Sequence, residues 1–67
     1  MTPTIQELQE ALVIGKAREI ESDLFWEILS KGYNEPNGQH ALEDFKRDTG
    51  NTVDISNHGL KISVMKH

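Results

Sequence analysis

His40, His58 and His67 are the only imidazoles of this 67-residue chain, and with no cysteine present they are the side chains from which a zinc site would have to start. Zinc needs three or four convergent ligands, usually with two of them close together in sequence. No pair of these histidines has that spacing, so no metal is expected. Glu19, Glu21 and Asp23 bring three carboxylates together, the residue type used for acid–base chemistry, but at helical spacing they read as a solvated face. There is no cysteine nucleophile, no G-x-S-x-G elbow and no glycine-rich phosphate loop. A chain this short also leaves little room for a cleft of several hundred cubic ångströms. The sequence therefore predicts no enzyme, no cofactor and no small-molecule substrate.

What remains is surface chemistry. Formal net charge is −4, against nonspecific nucleic-acid binding, yet it is unevenly placed. Residues 1–44 hold three basic and nine acidic side chains, a balance of −6, and residues 45–67 hold four basic and two acidic, a balance of +2. The basic end includes Lys46, Arg47, Lys61 and Lys66. Trp26, the only tryptophan, projects away from the arc of Leu24, Phe25, Ile28 and Leu29, between Glu19, Ser22 and Ser30. A tryptophan there is either an interface anchor or the far-side cover of a central helix, packed on the N-terminal helix or the hairpin. Trp26, Tyr33, Lys46, Arg47, His58 and Lys61 are the residues expected to meet a partner.

Those residues need elements to position them. Thr4-Ile5-Gln6-Glu7 matches a capping box, and apolar residues then recur at helical spacing through Ile5, Leu8 and Leu12. A second stripe runs through Val13, Ala17, Ile20, Leu24 and Ile28, rotated from the first by roughly 100°. A straight helix would point the two stripes in different directions, so the spacing predicts a break at residues 15–22, near Gly15, with Ser22-Asp23 capping the second piece. Gly32 is a stop signal, and Tyr33 to Gly38 has loop composition. The helices are expected at about 4–14, 17–31 and 37–49. The third turns Ala41, Leu42 and Phe45 inward, carries a Glu43–Arg47 pair outward and ends at Gly50.

The C-terminal residues change period. Val53-Asp54-Ile55-Ser56 and Leu60-Lys61-Ile62-Ser63-Val64 alternate apolar with polar around a turn signal, which predicts an antiparallel hairpin over about 52–65. If the apolar residues share one face, Ile55 must oppose Ile62 and Val53 must oppose Val64. The turn is then His58-Gly59 or a four-residue Asn57–Leu60 loop. The fold class is α+β: one domain over residues 1–67, with two to three helices followed by a two-stranded hairpin.

Domains of this size bury only about 60% of their unfolded surface, and no disulfide can supplement the core. Two unaligned stripes over residues 5–29 then ask for cover, either from helices folding back on each other or, as expected here, from a partner, most simply a second copy related by a two-fold axis. By elimination the chain reads as a protein-binding module, an inhibitor, adaptor or accessory subunit, of a kind that suits a phage or mobile element. The alternative rests on element order: three helices before a hairpin resembles winged-helix DNA-binding domains, in which the third helix enters the major groove and the hairpin is the wing. Lys46, Arg47 and Lys61 lie in those elements, while Glu43, Asp44 and Asp48 oppose them. Acidic DNA mimicry is a third option, weakened by the lysines and arginines among the acids. The N-terminus lacks the basic start and apolar stretch of a signal peptide, and no segment reaches membrane-spanning length, so a cytoplasmic location without membrane contact is expected.

Overall fold

A computed structural model describes residues 2–56 and 58–67. The order of elements is α1 (Ile5–Ala11), β1 (Ala17–Glu21), α2 (Ser22–Tyr33), α3 (Gly38–Thr49), β2 (Thr52–Ile55) and β3 (Lys61–Met65). The three strands form one antiparallel sheet in the order β1-β3-β2. The class is α+β, with a third strand added to the expected hairpin.

The capping box forms as read: the Glu7 N–H donates to Thr4 Oγ1 at 3.1 Å and the Thr4 N–H to the Glu7 carboxylate at 3.0 Å. The helix ends at Ala11, earlier than residue 14, because Leu12 turns extended at ψ 146°. Two cations satisfy carbonyls of its last turn: Arg18 Nη1 donates to Ala11 O at 3.1 Å and Lys66 Nζ to Gln9 O at 3.2 Å. Gly15, at φ +81°, then redirects the chain.

Residues 17–21 are strand and not the start of the second helix. Ala17, Arg18, Glu19 and Glu21 are helix formers, but β3 decides the outcome. Ile62 and Val64 of β3 are fully buried, so the backbone between them must be paired on both sides. β1 pairs one side, setting Ile20 against Ile62, and β2 the other. Glu21 stands at the N-cap of α2 with no side-chain cap bond, so the expected Ser22-Asp23 cap is absent. Ser22 binds the hairpin instead: its N–H donates to Leu60 O at 3.1 Å and its hydroxyl to Gly59 O at 2.5 Å.

α2 runs through Gly32 to Tyr33 and stops at Asn34, whose φ of 52° is left-handed. Gly32 is therefore a packing residue and not the stop. A Cβ there would stand 2.3 Å from Ile5 Cδ1, so its bare backbone is what lets α1 seat on α2. Asn37 caps α3 through bonds to Gln39 N and His40 N, and Gly50 ends it at φ +72°. The hairpin register is the expected one, Ile55 on Ile62 and Val53 on Val64. At the hairpin tip the Ser56 N–H donates to Lys61 O and the Gly59 N–H to Ser56 O. Asn57 itself lies outside the described residues.

The core lies between the helices and one face of the sheet. Its largest members are Phe25, Phe45, Ile28, Leu29, Ile62 and Val64. Phe25 meets Phe45 edge to face, with ring centroids 5.7 Å apart. α2 packs against both α1 and the sheet, which buries Leu8 and Leu12 of the first stripe and Ile20 and Ile28 of the second, while Val13, Ala17 and Leu24 of the second stay exposed.

Candidate functional site

The six residues expected to meet a partner do not form one cluster. Trp26 is half-buried, edge to face with Phe25 at 5.4 Å, and lies over the first turn of α3. A Cβ at Gly38 would sit 3.6 Å from its ring, so α3 supplies cover to the indole, an element the sequence reading had not assigned to it. Tyr33 is half-buried at the end of α2 beside Asp48. Burial, and after it the Asp48 and Asp44 carboxylates, push its phenol above the ordinary tyrosine range.

Lys46 and Arg47 stand on the outward side of α3, opposite Ala41, Leu42 and Phe45. Arg47 pairs with Asp44 at 2.8 Å and Asp48 at 3.5 Å, not with Glu43 as its spacing had suggested. Its guanidinium is thereby partly neutralised where a phosphate would have to reach it. His58 and Lys61 are exposed in the hairpin, whose tip is pinned to the start of α2 by Ser22. Glu21 and Asp23 flank that junction, so acids surround the place where wing and helix meet.

The sequence reading missed a groove between α1, β1 and α2. Its volume is about 390 Å³, against the expectation that so short a chain leaves little room for such a space. Leu8, Ile20, Leu24 and Ile28 give it an apolar floor, and Glu7, Arg18, Glu19 and Glu21 rim it. Leu24 keeps 37% of its surface exposed there, and every β1 residue except Ile20 is exposed. The groove exists because β1 turns the chain away from α1 after Gly15, leaving the two walls joined at the floor through α2. The available signal was Glu19-Ile20-Glu21, a polar–apolar alternation too short to outweigh the helix formers around it.

The groove holds no serine, cysteine or histidine, and among the described residues no three acidic or imidazole groups converge as metal ligands. Of the rim charges, Arg18 is bonded to the end of α1 and Glu7 to the capping box. Glu19 and Glu21 belong to no ion pair found among the described residues. The arrangement can bury an apolar side chain and attract a cation. No helix among the described residues is long and apolar enough to cross a membrane.

The elements run α1-β1-α2-α3-β2-β3 with strand order β1-β3-β2, so α2 and α3 are consecutive helices ahead of the β2–β3 hairpin. In comparisons with known families, curated proteins and solved structures, no family model, protein or structure matches this chain.

Proposed function

We propose that this chain is a small, non-enzymatic protein-binding module that recognises its partner through the groove between α1, β1 and α2. One observation carries the reading: an apolar floor with exposed Leu24 opens beside a sheet edge to which no strand is paired among the described residues. A monomeric domain has no structural use for such a surface, whereas a partner side chain would fill it.

The test is a substitution that changes the groove and nothing else. Leu24 lies in the first turn of α2, where a carboxylate is compatible with the helix dipole, so Leu24→Glu should fold normally. The tagged chain is expected to retain a protein partner from native lysate of the cells that make it, and Leu24→Glu at unchanged melting temperature to lose it. Equal recovery by both chains would overturn the reading.

A second reading, duplex binding through α3 and the wing, is favoured by the strand order and by Lys46, Arg47 and Lys61. It is the weaker of the two. The first helix of a helix-turn-helix crosses the phosphate backbone, and here that helix begins with Glu21, Ser22 and Asp23. Replacing Lys46 and Arg47 together by alanine should alter stability by no more than about 1 kcal/mol, because both are exposed and the ion pairs are on the surface. A salt-sensitive gel shift of the parent chain that this double variant abolishes would place DNA binding first.

A further inference from the structure

We infer that the partner binds by strand addition: an extended segment with apolar side chains at alternate positions, and lysine or arginine between them, becomes a fourth strand on the free edge of β1. The inference rests on the protein-binding reading and names the mode and chemistry of that contact.

The backbone comes first. The Ser22 N–H donates to Leu60 O, so in the β1–β3 ladder the pairs Ile20–Ile62 and Arg18–Val64 are the hydrogen-bonded ones. On the other side of β3 the Ser56 N–H donates to Lys61 O, which makes Asp54–Ser63 and Thr52–Met65 the bonded pairs there. The two assignments agree, since successive residues of β3 must turn to opposite neighbours. It follows that the N–H groups of Ala17, Glu19 and Glu21 and the C=O groups of Ala17 and Glu19 point to the free edge, the Glu21 C=O being taken by the first turn of α2 at whose N-cap it stands. All three residues are exposed, so these groups are open to a new strand.

The side chains then say which strand. Arg18 and Ile20 share the helix-facing side of the sheet with Ile62 and Val64, as the register requires. A segment alongside them would direct alternate side chains into the groove over Leu8, Ile20 and Leu24, where apolar groups are matched. Its other side chains would lie on the outer face beside Glu19 and Glu21, with Asp54 beyond Ser63 in the same row as Glu19. That row is acidic. Lysine or arginine is the complementary residue, since opposite charges on neighbouring strands attract and like charges repel.

The same charges reject a second copy of this chain on this edge. A two-fold pairing centred on Glu19 sets Glu19 against its own copy. Centred on Ile20, it sets Glu19 against Glu21 twice. Centred on Arg18, it sets arginine against arginine. Every register that would bond the free groups opposes like charges, so the edge is protected from itself while remaining complementary to a basic strand.

The probe is an acetylated, amidated heptapeptide of alternating lysine and valine, titrated into the intact chain at low salt and followed by backbone amide shifts and hydrogen exchange. Exchange at Ala17, Glu19 and Glu21 should slow on binding, with a shift at Leu24. A peptide of the same composition in block order, and one of alternating glutamate and valine, should leave those amides unchanged. In the Glu19→Lys, Glu21→Lys double variant the lysine peptide should bind about tenfold more weakly and the glutamate peptide should now bind. Unchanged exchange at the three amides, or equal protection by the block peptide, would overturn the proposal. Protection without peptide that grows with protein concentration would also overturn it, in favour of a second copy. If Leu24→Glu abolishes partner capture while the peptide protects none of the three amides, strand addition is wrong and the protein-binding reading stands.

Discussion

Ile62→Lys is expected to leave the chain unfolded at room temperature. Ile62 is fully buried in the central strand, with Ile20 opposite it on β1 and Ile55 opposite it on β2. The helix-facing side of the sheet around it carries Arg18, Val53 and Val64 and no acid, so a lysine there would be a buried charge without a partner. Such burial costs several kcal/mol even when the group responds by losing its proton. A domain of this length has about 3–10 kcal/mol of stability in total, so the loss is comparable to the whole. Ser63→Lys is the matched control: one position along, on the outer face, its ammonium would stand between Glu19 and Asp54. That change should shift stability by no more than about 0.5 kcal/mol. Far-ultraviolet circular dichroism and urea melts of the two variants decide it, and a folded Ile62→Lys chain with an unchanged midpoint would sink the claim.

The contrast between these neighbouring positions is also why the hairpin was readable from sequence and β1 was not. Val53, Ile55, Ile62 and Val64 alternate with polar residues on both sides of a glycine turn, so parity alone sets the register. The inward stripe of α3 and its glycine stop are equally local, as is the Thr4–Glu7 capping box. In β1 a single large apolar residue, Ile20, sits among alanine, arginine and glutamate, all of which favour a helix. What makes it a strand is the far edge of β3, more than forty residues along the chain at Ile62. Gly32 misled for a similar reason. Its role is the approach of Ile5 from another helix, which no local pattern records. The groove depends on α1, β1 and α2 together, so it could not be read before β1 was placed. The acidic bias of residues 1–44 was legible, but not that Glu19 and Glu21 would line an open edge.

Phe45→Ala is expected to cost about 3–5 kcal/mol, the second large loss. The buried stripe of α3 is only Ala41, Leu42 and Phe45, and the phenylalanine is the largest of the three. Its ring is fully buried and meets Phe25 at an interplanar angle of 88°, and Phe25 in turn meets Trp26 at 74°. Removing it opens a cavity between α2 and α3 and breaks an edge-to-face contact, itself worth about 0.5–1.5 kcal/mol. Because Trp26 lies over Gly38 at the start of α3, loosening that helix should uncover the indole. Trp26 emission in the Phe45→Ala chain should therefore shift to the red under conditions where the parent's does not. Phe45→Leu keeps much of the volume and should lose about 0.5–3 kcal/mol, which leaves a folded chain to measure if the alanine variant fails. Lys46→Ala, on the exposed side of the same turn, should change the midpoint by no more than about 0.5 kcal/mol. A Phe45→Ala chain with the parent's midpoint and emission would mean that α3 is held by something other than this aromatic contact. The α2–α3 arrangement on which the winged-helix comparison depends would then need a different basis.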